Sequence, residues 1–172
     1  MRLASALGVV LLAAALQTSL SRFTLGTRWV FDLVLVGVIY SALRWGPSYG
    51  VIAGTVGGLI QDALAGGTLG VGGFSKTLVG FAAGVVGAQF VVVQTLPRMV
   101  LVAAATVLEQ AAVLALQGMI DLQRPAVAWA TILIEMVLNA LIAFLVFSGV
   151  EALPAMLRRR PMRRSGFGAR KW

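Results

Sequence analysis

Apolar residues in this chain neither alternate strictly nor form the narrow stripe of a soluble helix; they come in long runs. Six runs can be cut out, at roughly 3–20, 30–46, 48–65, 70–94, 98–120 and 126–150. A helix crossing the hydrocarbon core of a bilayer needs about 20 apolar residues, with a range of about 17–25. All six runs fall near that range, the second and third being short and separated only by Gly46-Pro47. Pro47 and Pro97 each stand at a junction, where a missing N–H and a fixed φ do least harm. Backbone amides in lipid must be satisfied within the segment, which leaves helices or a closed barrel. Without strict alternation, a barrel is disfavoured. The pattern predicts an all-α polytopic membrane protein, a six-helix transmembrane bundle over 1–157 with a tail over 158–172.

Composition strengthens this reading. The 172 residues are 59% hydrophobic and 12% charged, with a mean hydropathy of +0.94. A soluble domain of this size has too little interior to hide so much apolar surface. With no cysteine, a disulfide framework or thiolate metal site is excluded. With no histidine, the commonest general base and metal ligand is missing. No catalytic residue, cofactor or metal is expected.

Charge sets the expected orientation. Seven of the fourteen Lys and Arg residues lie in the tail RRRPMRRSGFGARKW. With both termini in the cytoplasm, Arg2, Arg44, Arg98 and the tail lie inside, and Arg22, Arg28 and Arg124 lie outside. This satisfies the positive-inside rule. A tail cluster of this kind, with Arg158, Arg159, Arg160, Arg163 and Arg164 at its head, reads as a contact for anionic lipid rather than nucleic acid. The first run, with Arg2 ahead of it, also has the look of a secretory signal peptide. Its length and the want of a small-x-small site favour a retained anchor helix.

Two series of small residues punctuate the middle of the chain. Gly50, Gly54 and Gly58 lie four apart, and Asp62 continues the series. Gly72, Lys76, Gly80, Gly84 and Ala88 repeat the same step. On helices, each series forms one stripe, and such stripes let helices approach closely in lipid. The short connection near Ala65–Leu69 predicts an antiparallel hairpin, with Asp62 and Lys76 toward its outer end as candidates for an ion pair. The stripes serve helix packing and, on a sharper reading, a partner.

Intramembrane acids demand an account. Glu109 lies about eleven residues into the fifth run, and Glu135 and Asn139 are one turn apart in the sixth. Asp32, near the outer end of the second, is placed to reach the interface. A charge at a helix centre costs about 2.5–3.5 kcal/mol even on the lenient scale, so such groups face a bundle interior, a cavity or a partner. Asp32, Asp62, Glu109 and Glu135 stand against one embedded cation, Lys76. The acids read equally as ion or proton ligands of a carrier and as struts and partner contacts of a scaffold. Residues 70–77, GVGGFSKT, imitate a phosphate-binding loop, but Ser75 replaces the second glycine and a membrane helix precedes it.

The stretch GTVGGLIQDALAGGTLGVGGFSKTLVGFAAG (54–84) resembles the rod shape-determining MreD family. The resemblance lies in a small-residue helix ending at Asp62, then Thr68-Leu69-Gly70-Val71, then an apolar helix. The entry RWVFDLVLVGVIYSALRWGP (28–47), with Asp32, is similar too. The resemblance implies a non-enzymatic scaffold of the bacterial inner membrane in the cell-elongation complex. It implies an MreC-like partner and, through it, an MreB-like filament and a RodA-like glycosyltransferase with its transpeptidase. It also implies a fold similar to the six-helix substrate-binding subunits of ECF vitamin transporters, which supplies the alternative function of small-molecule binding. On this reading Gly50, Gly54, Gly58, Asp62, Gly70, Gly72, Lys76, Gly80 and Gly84 serve packing or the partner.

Overall fold

The computed structural model describes residues 1–21, 31–66, 68–90, 94–120 and 129–157. The described residues form six α-helices and no strand: α1 (Arg2–Ser21), α2 (Leu33–Trp45), α3 (Pro47–Ala65), α4 (Val71–Gln89), α5 (Thr95–Ile120) and α6 (Trp129–Leu157). Helices α1, α4, α5 and α6 are long and apolar enough to cross a membrane. Helix α2 has only 13 residues, and the 19 residues of α3 are diluted by four glycines and several polar side chains.

Short α2 is the hub. It touches each of the other five helices, and Val34, Leu35, Val36, Val38 and Ile39 are buried on all sides of it. Leu35, Val36 and Ile39 meet Val79, Val102, Ala143 and Phe147 in one core, while Val34 and Val38 join Val10, Ala14 and Ala53 in a second. Leucines and phenylalanines of the outer helices, among them Leu12, Phe81, Leu96 and Leu145, remain exposed, as lipid-facing residues do.

Helices α2 and α3 are joined by Gly46 alone, at φ +104°, with Pro47 as the first residue of α3. That φ suits glycine, and proline at N1 forfeits an N–H the helix would not use. Aromatic residues gather at this end of the bundle. Tyr40 packs edge-on against Trp45 at 6.0 Å and lies 5.7 Å from Phe147. Arg98 lies over the Phe147 ring and pairs with Glu151. Aromatic rings beside Arg44 and Arg98 suit a membrane interface.

Helix limits differ from the sequence expectation at several ends, and α5 begins at Thr95 rather than residue 98, which puts Pro97 in its first turn. Helix α2 begins at Leu33 rather than residue 30, because Asp32 caps it by accepting the Leu35 N–H at 2.9 Å. Helix α4 stops at Gln89, where Phe90 turns extended. Helix α6 continues past residue 150 to Leu157, carrying Glu151 onto Arg98.

Candidate functional site: a buried charge network beside a polar cavity

The glycine series decide how α3 meets α4. A Cβ on Gly50 would strike the Gly80 carbonyl, one on Gly54 the Lys76 carbonyl, and one on Gly58 the Gly72 carbonyl. Gly84 sits against Pro47 in the same way. The two stripes therefore face each other, backbone on backbone, with Thr55 and Thr77 bonded across the seam at 2.7 Å.

This register separates the two charges that the sequence placed together. Lys76 stands opposite Gly54, two turns of α3 away from Asp62. Instead of an ion pair with Lys76, Asp62 holds the start of α4. Its carboxylate accepts the N–H groups of Gly70 at 2.8 Å, Gly72 at 3.1 Å and Gly73 at 3.2 Å. These are N–H groups that no turn of helix can satisfy, at the positive end of the helix dipole. Gly70 itself adopts φ +101°, a left-handed conformation open to glycine.

Lys76 reaches across the bundle. Its ammonium lies 2.7 Å from Asp32 Oδ2 and pairs with Glu109 as well. Asp32 is thus a buried cap and ion-pair partner, 5% exposed, not an interfacial group. Its position as the cap of α2 turns the carboxylate inward. Asp32 Oδ2 also accepts from Gln61 Nε2 at 3.2 Å, and the Asp32 N–H donates to Asn139 Oδ1 at 2.7 Å. Asn139 Nδ2 donates to Thr106 at 3.2 Å, and Gln110 Nε2 donates to Glu135 at 2.7 Å. Gln17 of α1 accepts the Val34 N–H at 3.1 Å. Polar groups of all six helices thus meet around the start of α2.

Sequence reasoning singled out Asp32, Lys76, Glu109, Glu135 and Asn139, and the structure brings them into this one region. It did not find Gln17, Gln61, Thr106 or Gln110. A sequence signal existed for each: a polar side chain in a mostly apolar run, one turn or less from a singled-out residue for Gln61, Thr106 and Gln110. The tail arginines, Arg158, Arg159, Arg160, Arg163 and Arg164, lie outside the described residues, as do Arg22, Arg28 and Arg124.

A cavity of about 290 Å³ opens beside the network, with Asp32, Gln61, Asp62, Lys76, Glu109 and Glu135 on its walls. Among the described residues no three acidic side chains converge to hold a metal ion.

Such a bundle, helices sealed by glycine and bolted by buried charge, is that of a polytopic membrane protein. The sequence model of the family described as rod shape-determining protein MreD matches residues 2–153, and the chain belongs to that family. Its role is therefore in determining rod shape. No curated protein and no solved structure matches the chain, so the likeness to vitamin-transporter subunits rests on the family resemblance alone.

Proposed function

We propose that this chain is a non-enzymatic scaffold of the bacterial inner membrane in the cell-elongation complex, with both termini cytoplasmic. It binds an MreC-like partner at the α3–α4 hairpin. Through that partner it meets an MreB-like filament and a RodA-like glycosyltransferase with its transpeptidase, and so supports lateral peptidoglycan synthesis. The basic tail lies on anionic lipid. The observation that carries the reading is the family match over residues 2–153. The α3–α4 seam supports it, because a backbone-to-backbone contact makes a stiff pair of helices for a partner to meet. The glycines are spent inside that seam, so the partner meets the outer faces of the hairpin.

Co-purification tests the proposal. The MreC-like protein should be recovered with the unaltered chain, and much less with Gly54→Leu or Gly58→Leu, which force the hairpin apart. Asp62→Ala, which removes a lock on the register but adds no bulk to the seam, should lose less. Unchanged recovery with both leucine variants would count against the hairpin as the docking element.

The cavity favours a second reading, a small-molecule-binding subunit, because it is concave and lined by a few polar groups. A vitamin carried tightly through purification would establish that reading.

A further inference from the structure

The bundle leaves a gap over α2. Helices α1 and α6 both pack on α2 but do not meet each other. Between them lies a groove of about 250 Å³. Leu12 and Leu16 of α1 and Val146 and Val150 of α6 form its lips, and Val36 and Gly37 of α2 close its floor. It follows α2 from Leu33 to Tyr40, about 10 Å at 1.5 Å per residue. Apart from Tyr40, every side chain on it is apolar.

A second cavity, of about 280 Å³, adjoins the groove at the arginine end of the bundle. Tyr40 and Val150 line both, and a tyrosine, an apolar ring with a polar tip, suits such a boundary. Arg44 of α2, Arg98 of α5 and Glu151 of α6 stand on the walls of the second cavity. Two guanidiniums against one carboxylate leave a surplus of positive charge. Arg98 is fixed, lying 5.2 Å over the Phe147 ring and paired with Glu151. Arg44 is exposed in the last turn of α2 and pairs with no carboxylate among the described residues.

One kind of occupant matches both parts. The groove takes hydrocarbon, because its side chains offer almost nothing to bond a polar group. A partner helix is 10–12 Å across, and 10 Å of it would fill roughly 900 Å³, so it would rest on the lips and leave the floor empty. A soluble anion would use the arginine end alone. Arginine forks suit phosphate oxygens, and basic pockets between membrane helices on the cytoplasmic side hold lipid headgroups. A zwitterionic headgroup brings its own ammonium, which cancels the attraction; the surplus positive charge therefore selects an anionic one.

We propose that the two cavities together seat one anionic phospholipid, its phosphate at Arg44 and Arg98 and one acyl chain in the groove between α1 and α6. This differs from the contact of the basic tail with anionic lipid, which is an attraction to many headgroups and not a seat for one molecule. It also stands apart from the scaffold reading, since it needs no partner protein.

The test is native mass spectrometry of the full chain in a neutral detergent, titrated with dioleoyl phosphatidylglycerol or dioleoyl phosphatidylethanolamine. The first phosphatidylglycerol should bind about tenfold more tightly than the second and than phosphatidylethanolamine. Arg44→Gln should weaken that first step about fivefold or more. Val150→Trp, which fills the groove without changing charge, should weaken it about tenfold by displacing methylenes. Leu145→Trp, on the exposed side of α6 away from both cavities, should leave it unchanged. With Arg158, Arg159, Arg160, Arg163 and Arg164 all replaced by glutamine, the later steps should weaken and the first should remain. A first step no tighter than the later ones, equal binding of the two lipids, or an unaltered first step in both Arg44→Gln and Val150→Trp overturns the proposal. So does loss of the tight step in the tail variant, which would assign it to the tail. Displacement of the lipid by glycerol 3-phosphate at a like concentration overturns it too, because the groove would then contribute nothing. Should Val150→Trp fail to elute as a single species, Arg44→Gln decides together with the preference between the two lipids.

Discussion

At the scale of residues, Lys76 is the group on which the interior depends. It is the cation between Asp32 and Glu109, and all three are nearly sealed from solvent. Burying charges is costly, and taking away one partner of a buried pair costs about 3–5 kcal/mol because the other is stranded. Lys76→Met strands two carboxylates at once, so it should destabilise the folded chain by at least about that amount. Following it with Glu109→Leu should restore part of the loss, since an apolar replacement of the pair is often tolerated. Reversible unfolding in mixed micelles measures both; a Lys76→Met variant as stable as the parent would show that the network contributes nothing net. Asp62 has a different task. Asp62→Ala removes a cap from α4 and should cost about 0.5–2 kcal/mol by the same measurement. The sequence made the five charged residues visible, because charge in apolar runs is conspicuous. It did not reveal their pairing. Lys76 is near Asp62 in the chain, but the partners it reaches lie 33 residues beyond it, on α5, and at the cap of α2. Only the packing of whole helices decides that.

Helix pairs set the next scale. The four-residue step of glycines was legible in the sequence, and with it the hairpin. The reason is that a small-residue stripe has one physical use in lipid, letting backbones touch. The register was not legible, because sliding α4 by one turn still matches glycine to glycine. Asp62 fixes it: its carboxylate holds the N–H groups at the start of α4 and thereby places Gly72 against Gly58. Close approach gives a contrast between glycines. Gly54→Ala drives a methyl group into the Lys76 carbonyl, and overpacking against backbone, which cannot rotate away, should cost about 1–3 kcal/mol. Gly149→Ala, in α6 with nothing within 4 Å of the new carbon, should gain about 0.5–1 kcal/mol from helix propensity alone. Equilibrium unfolding of the two variants checks the opposite signs. If both alanines stabilise, the seam is looser than its carbonyl contacts require.

For the whole molecule, the two ends of the bundle differ in chemistry. One end carries Arg44, Arg98 and the ring cluster of Tyr40, Trp45, Tyr49 and Phe147. The other carries the α3–α4 turn, Asp62 and the acidic cavity. Basic residues stay on the cytoplasmic side of a bilayer, so the arginine end should face inward and the cavity outward. The grouping of Arg44 with Arg98 was legible in the sequence, but the pairing of Arg98 with Glu151 was not, because it forms only when α6 runs past residue 150. A chain without cysteine lets single thiols report the orientation against a silent background. Thr68, in the α3–α4 turn, and Ser48, in the first turn of α3, are both exposed and lie at opposite ends of that helix. In intact cells a membrane-impermeant maleimide should label Thr68→Cys and leave Ser48→Cys unlabelled, and permeabilised cells should label both. The opposite pattern would turn the cavity toward the cytoplasm.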